Sequence, residues 1–500
     1  MKHSWIDLIL IIVIGTVMFA RVTSAYFCGY DDFGETHRAA FEDSKTPSHI
    51  FTTTHFGTTK YRPLNRLTTF VSWKLGNGSA LPFRVRNLLF HLICALCIYG
   101  IVWIWSRDRV VALVCSLFFC LEPTANQTVV AAVFTNTVAY ACLLGGLLLF
   151  VWWRESRRKV WLLWSMGLVL VGLFFYEPVI VVFGLMGAYL ALEYWRGKRP
   201  TPKELTAWAA GVIAATFIFA LVRHFVVHGK SPLVPLGLIV HNLMLYVGAL
   251  LSPIDAVTAN ELFGAPLPPQ LHFDRAVLVW MLVALAAIVA ALLILLRMYA
   301  VRENLKHLDK PLILFLVLAI PVALSPFLLF TPHASETYLY LPTAFFAILL
   351  GVLLRTLMPS TAAYAAVATL ILVSFATGTW IRNDRVMACG EIADTIIHHL
   401  PIASWKTGQW NIALFDFPGQ TPPPRYGMYN YEGLSTIDPD DQETGIGIQN
   451  ALQTMTQNSA LKAEIDNAAD SASACTAPDI CFTVSLNGSV RPVISSRVRQ

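Results

Sequence analysis

Long apolar runs separated by short basic or polar connectors dominate the first three quarters of the chain. A helix needs about 20 mainly apolar residues to cross a bilayer, within a range of roughly 17–25. By that measure the pattern predicts eleven spans, near 5–25, 85–105, 110–122, 128–152, 160–176, 178–195, 205–226, 276–298, 311–330, 338–357 and 361–380. A further apolar run, GLIVHNLMLYVGALL at 238–252, is read as a helix lying at or dipping into the outer interface. Charge parity is the reason. Arg107-Asp108-Arg109, Arg154 to Lys159, Arg196 to Lys203, Arg297 to Lys310 and Arg355 all fall inside if the N-terminus is inside and 238–252 does not cross. A crossing there would put Arg297 to Lys310 outside. Eleven crossings leave the C-terminus outside.

The first run, Trp5 to Ala20, follows only Lys2-His3 and continues past Arg21 without a small-residue cleavage site, so it is expected to be a retained helix and not a signal peptide. From about Arg382 the composition becomes polar, with acidic residues outnumbering basic ones. Residues 388–400 read as a helix and WNIALFDF (410–417) as a strand. CFTVSLNGSVRPVIS reads as a hairpin turning at Asn487-Gly488. The expected organisation is a transmembrane domain at 1–381, with a long first external loop at 26–83, and a small extracytoplasmic α/β domain at 382–500.

Composition agrees with this picture. The 500 residues are 56% hydrophobic and only 13% charged, about half the charge of a soluble globular chain. The net charge of +5 matters through its placement. Of nine cysteines, Cys94, Cys97, Cys115, Cys120 and Cys142 lie in apolar helical runs, where a thiol behaves as a small hydrophobe. None has metal-ligand spacing. Cys475 and Cys481 are close enough for a small disulfide loop in an oxidising compartment.

Candidate chemistry clusters at the outer ends of the predicted helices. The first external loop begins YDDFGETHRAAFED, and Asp31 and Asp32 come just after the first helix. Ionisable groups at that depth are costly unless paired or facing water, which makes the pair a functional candidate; the plainer alternative is two solvated loop carboxylates. Tyr61-Arg62-Pro63, RVRNLLFHL, LEPTANQT and FFYEP all lie on the same outer side. Asn87 and His91 are four apart, on one helical face, as a polar pair between helices would also be.

This order resembles the GT-C superfamily of polyprenyl-phosphate-sugar-dependent glycosyltransferases. The likeness is to the protein O-mannosyltransferase-like branch and its relatives with transmembrane-plus-TPR architecture. That family carries an acidic pair in the first external loop, a Tyr-Arg-Pro segment and an Asn-x-x-x-His helix. Here these are Asp31-Asp32, Tyr61-Arg62-Pro63 and Asn87 with His91. The family's later His-Pro, Lys-Glu and Arg-Tyr-x-Tyr-x-Pro motifs correspond here to Glu122-Pro123, Tyr176-Glu177 and Thr337-Tyr338-Leu339-Tyr340-Leu341-Pro342. The resemblance covers roughly residues 1–380. Glu122 stands where His is usual, Tyr176 where Lys is common and Thr337 where Arg is common. The last departure removes an expected phosphate-binding cation, which His333 or Arg223 would have to replace. No TPR repeats follow.

The resemblance implies a GT-C-like, α-helical polytopic membrane protein of about eleven helices in a bacterial inner membrane. It implies sugar transfer from a polyprenyl-phosphate donor to a hydroxyl of a glycan, lipid or protein acceptor outside the membrane. Asp31 or Asp32 would be the general base. Tyr61, Arg62, Asn87, His91, Glu122, Glu177, His333, Tyr338 and Tyr340 would bind donor phosphate or substrate. No metal, other cofactor or nucleic acid is expected; the partners are the donor, the acceptor and the bilayer. The competing classes are a lipid-linked saccharide transporter, an O-antigen polymerase or ligase, and a non-catalytic scaffold. A transporter should show paired halves with broken helices near mid-membrane, and no half-to-half repeat is evident.

Overall fold

The computed structural model describes residues 4–27, 30–54, 60–227, 235–251, 308–329, 336–358, 360–415, 447–466, 480–484 and 490–492. In chain order the helices are α1 (Ser4–Phe19), α2 (Tyr30–Arg38), α3 (His49–Thr52), α4 (Pro63–Gly76), α5 (Leu81–Ser106), α6 (Arg109–Leu121), α7 (Asn126–Val130), α8 (Asn136–Ser156), α9 (Lys159–Phe175) and α10 (Val181–Trp195). They continue with α11 (Pro202–His224), α12 (Leu236–Leu251), α13 (Lys310–Leu328), α14 (Tyr340–Leu357), α15 (Thr361–His399) and α16 (Gly447–Thr456).

Among the described residues, eight helices are long and apolar enough to cross a membrane, or nine if α6 and the segment Pro123–Val130, bent by 53°, form one crossing. The chain is thus a polytopic α-helical integral membrane protein. The apolar helix α9 is shorter. The predicted span at 276–298 lies outside the described residues, so eight or nine crossings stand where eleven were expected. Large apolar side chains such as Leu163, Ile213, Phe217 and Leu370 are exposed on the bundle surface, where lipid replaces water.

Local signals set the helix ends. Pro63 occupies the first turn of α4, and Asn77 closes it in the left-handed region at φ 44°. Asp108 caps α6 by accepting the N–H groups of Val110 (2.9 Å) and Val111 (3.3 Å). Thr201 and Glu204 form a capping box at the start of α11.

The basic connectors gather at one end of the bundle and are tied to acidic partners. Arg109 pairs with Asp7, Arg355 with Asp108 (3.1 Å), and Arg107 and Lys198 with Glu155 (3.0 and 3.1 Å). Arg154 reaches Glu193 and Glu204, and Arg196 reaches Asp309. The Arg196–Asp309 pair puts the start of α13 beside the α10–α11 connector. At the opposite end, Asn242 of α12 donates to the Leu328 carbonyl (3.4 Å), and Tyr246 meets Tyr338 edge-on. By the positive-inside rule this opposite end is the outer one.

α15 is 39 residues long, about 58 Å at 1.5 Å per residue. That exceeds the roughly 30 Å apolar layer. The compositional change at 382 thus falls inside one continuous helix. Its far half enters a second buried core. There Ile396, Ile397 and Leu400 meet Phe27 and Phe33 of the first loop, and Ile412, Leu452 and Phe482 of the C-terminal region. That region holds β1 (Asn411–Phe415), β2 (Lys462–Asp466), β3 (Ile480–Val484) and β4 (Val490–Pro492) in the order β2-β1-β3-β4. β1 is parallel to β2 and β3, while β3 and β4 are antiparallel, with Phe482 opposite Pro492. The expected hairpin is present; its Asn487-Gly488 turn lies outside the described residues. Cys481 is disulfide-bonded, and Cys475 lies outside the described residues.

The C-terminal region packs directly on the first loop. α16 lies against α2, and His37 is hydrogen-bonded to Gln453 at 2.7 Å. Burial lowers the His37 pKa below its ordinary 6.5, against smaller upward pulls from Gln453 and the Glu42 carboxylate. α16 contributes no charged group. A depressed imidazole pKa means the folded state takes up its proton less readily than the unfolded one. Docking is therefore at full strength above about pH 6.5 and weakens as the pH falls toward the lowered value. Amide exchange in α16 between about pH 5 and 8 tests this. Protection should fall on acidification in the wild type and respond less in His37→Gln. Equal responses would contradict the assignment.

Candidate functional site

Arg62 precedes Pro63, and a residue before proline is kept out of the helical region. Its backbone sits at φ −134°, ψ 63°, and its side chain turns toward the α9–α10 junction. There Tyr176 is extended (φ −159°, ψ 113°) and Glu177 opens a single 3-10 turn, Glu177–Ile180. The Glu177 carboxylate accepts the Tyr61 N–H (2.9 Å) and the Arg62 Nε–H (2.6 Å). The guanidinium lies 4.5 Å above the Tyr176 ring centre. Burial pulls the Arg62 pKa down, but Glu177 and Tyr176 more than offset it and hold the group protonated. The Arg62 terminal nitrogens make no hydrogen bond to any described residue. Tyr61 is buried, its pKa raised by that burial, and its hydroxyl donates to the Phe51 carbonyl (3.0 Å).

An aromatic chain leads inward from this pair. Tyr176 stacks on Phe327 (6.2 Å), which stacks on Tyr338 (4.5 Å). Tyr140 meets Tyr176 edge-on at 6.0 Å and lies parallel to Tyr340 at 5.2 Å. The Tyr140 hydroxyl is fully buried without a hydrogen-bond partner among the described residues, and it lies within electrostatic reach of Arg62. The Tyr340 hydroxyl meets His91 Nδ1 at 2.7 Å, and His91 Nε2 meets the Cys120 carbonyl at 3.1 Å. A carbonyl only accepts, so Nε2 carries the proton and Nδ1 accepts from Tyr340.

Asp32 belongs to the first loop. It is buried on α2, and its Oδ1 accepts the Val133 N–H at 3.2 Å. The side chain of Asp31 and all of His333 lie outside the described residues. Asn87 does not touch His91. It donates to the carbonyls of Ala131 (2.7 Å) and Ala132 (3.3 Å), in the segment that presents Val133. Glu122 caps the turn Pro123–Ala125, accepting the Thr124 N–H (2.7 Å) and hydroxyl. The structure therefore links Tyr61, Arg62, Glu177, Tyr338, Tyr340 and His91 in one chain of contacts and brings Asn87 to Asp32.

Two groups of side chains escaped the sequence. Arg86, beside Asn87, holds the same 131–134 segment. A buried ionic network joins Glu35, Arg38, Asp43 and Arg66 beneath α2. An arginine in the second turn of an apolar helix was the available signal for Arg86. Nothing in spacing links Asp43 to Arg66, because the contact is tertiary.

No family model matches the chain, and no curated protein matches it. Among solved structures it is similar to ArnT from Cupriavidus metallidurans bound to undecaprenyl phosphate. That match has 14% identity and TM-score 0.36, over 93% of this chain and 90% of that one. It is also similar to the apo state of the same protein, with 14% identity and TM-score 0.38, over 97% of this chain and 93% of that one.

The Arg62–Glu177 pair is partly exposed, so its coupling should be that of a charged hydrogen bond, about 1–3 kcal/mol. A double-mutant cycle of Arg62→Gln and Glu177→Gln, read by denaturation in detergent, measures it. Additive losses would show that the two side chains do not act together.

Proposed function

We propose that the chain is a glycosyltransferase moving a sugar from a polyprenyl-phosphate donor to a hydroxyl of a cell-envelope glycan, lipid or protein. Transfer takes place at the outer end of the bundle. The observation that carries this is the Arg62 guanidinium. Its inner nitrogen is anchored by Glu177, its face rests on Tyr176, and its terminal nitrogens make no hydrogen bond to any described residue, which leaves them for an oxyanion. A fork held in this way suits a phosphate, which it can grip through two parallel N–H bonds. The Tyr140 hydroxyl, without a hydrogen-bond partner among the described residues, is a further donor beside Tyr176. The order of motifs from Asp31-Asp32 through Tyr340 supports the same chemistry.

Transfer breaks the bond between anomeric carbon and phosphate oxygen and forms one between that carbon and the acceptor oxygen. The acceptor proton goes to a carboxylate, and the leaving phosphate keeps the electron pair. Arg62 stabilises the charge that develops on the phosphate. Asp32 is buried and committed to the Val133 N–H, which suits an anchoring role. The general base is then Asp31. The buried disulfide cysteine, Cys481, fits a C-terminal domain on the oxidising side of the membrane.

Membranes supplied with undecaprenyl-phosphate-linked glucose, mannose or galactose provide the assay. Asp31→Asn should cut transfer by about 10²–10⁴-fold, the contribution of a general base, with insertion unchanged. Asp32→Asn should also reduce it. Full activity in both single variants and in the double variant would sink the mechanism.

A further inference from the structure

The segment between α7 and α8, Ala131 to Thr135, has no helix of its own, yet Ala132 and Val133 are buried. Its carbonyls need donors from elsewhere. Two adjacent side chains on the first turns of α5 supply them. Asn87 Nδ2 donates to Ala131 and Ala132, and Arg86 Nη2 donates to the carbonyls of Ala132 (2.9 Å) and Phe134 (3.0 Å). The two side chains also lock each other. Arg86 Nε and Nη2 donate to Asn87 Oδ1 at 3.1 and 3.0 Å, which leaves the Asn87 amide nitrogen facing the backbone. Arg86 Nη1 is held by Ser72 of α4 at 3.4 Å. With the carbonyls of 131, 132 and 134 turned to α5, the Val133 N–H is presented to Asp32. Arg86 is also within electrostatic reach of Asp32 and Glu35.

We propose that Arg86 and Asn87 are positioning residues: they hold the Ala131–Phe134 segment as a socket for the Asp32 carboxylate, and the socket pins α2, with Asp31 on it, at the outer end of the bundle. This rests on the transferase proposal for its consequence in catalysis, and on geometry alone for the socket. Neither side chain need touch substrate. Arg86 acts as a fork and not only as a charge, because its three nitrogens together serve Ser72, Asn87 and the 132 and 134 carbonyls. Lysine has no equivalent geometry.

Two readouts test it. The first uses no substrate. Amide exchange over α2 and over residues 126–137 should quicken together in Arg86→Gln and Asn87→Ala, while α8 beyond residue 140 keeps its protection. Unchanged exchange over α2 would overturn the socket whether or not the chain transfers sugar. The second uses whichever of the three undecaprenyl-phosphate hexoses the wild type turns over. Loss of position should lower kcat by about tenfold to a hundredfold, with KM for the donor within about twofold. Arg86→Lys should recover only part of the loss. The Arg86→Gln/Asp32→Asn double variant should be no worse than the worse single variant, because both break one contact. A loss carried by KM, or losses that multiply, would overturn the assignment. If Asp31→Asn keeps full activity while exchange over α2 still responds to Arg86→Gln, the assignment of Asp31 as the base fails and the socket stands.

Discussion

The outer end of the bundle is held by side-chain donors that satisfy backbone carbonyls of non-helical segments. Irregular backbone at membrane depth survives only where its polar groups find partners inside the protein. Arg84 donates to the carbonyls of Ala25 (3.1 Å), Tyr26 (2.7 Å) and Val130. Arg86 and Asn87 serve residues 131, 132 and 134. Arg66 reaches the His49 carbonyl (3.0 Å) and Arg382 that of Pro123 (2.6 Å). An arginine can do this because its fork reaches several acceptors while its stem lies in apolar surroundings. The connectors therefore keep fixed shapes, and the candidate site is built from them.

The two ends of the bundle use charge differently. At the basic end arginines meet carboxylates on neighbouring helices, which fastens the connectors together. At the outer end arginines meet carboxylates and backbone carbonyls alike. Among the described residues, Arg62 has one carboxylate partner, Glu177, reached through one nitrogen. The second buried core presses α2 between the bundle and the C-terminal region. The acidic loop is thus braced from both sides, by the 131–134 segment below and by α16 above. A base that must take a proton from a bound hydroxyl gains from such bracing, since its position is set before substrate arrives.

Much of this was legible in the chain, for physical reasons that differ by element. The apolar runs marked most helices because lipid imposes a length and a composition. Parity of basic connectors reads 238–252 as interfacial; α12 covers this run, and its Asn242 and Tyr246 contact Leu328 and Tyr338. The hairpin was visible through its Asn487-Gly488 turn signal. The Arg62–Glu177 contact was not legible, although both residues had been singled out, because 115 positions separate them. Asn87 and His91 share a helical face yet serve different partners, which spacing alone does not distinguish. Glu122 occupies a motif position but acts as a cap, a role set by the following Pro123-Thr124 turn. The continuity of α15 across residue 382 was hidden because composition changes there while helix propensity does not.

Under the proposed function, the Arg62 fork, the aromatic surfaces beside it and the braced acidic helix form a site for transfer from a lipid phosphate. The most direct test is the intact mass of cell-surface glycans from cells with and without the gene. The account predicts a difference of one sugar residue, whose mass names the donor class and whose location names the acceptor. Identical glycan masses, together with identical masses of envelope lipids and proteins, would contradict it.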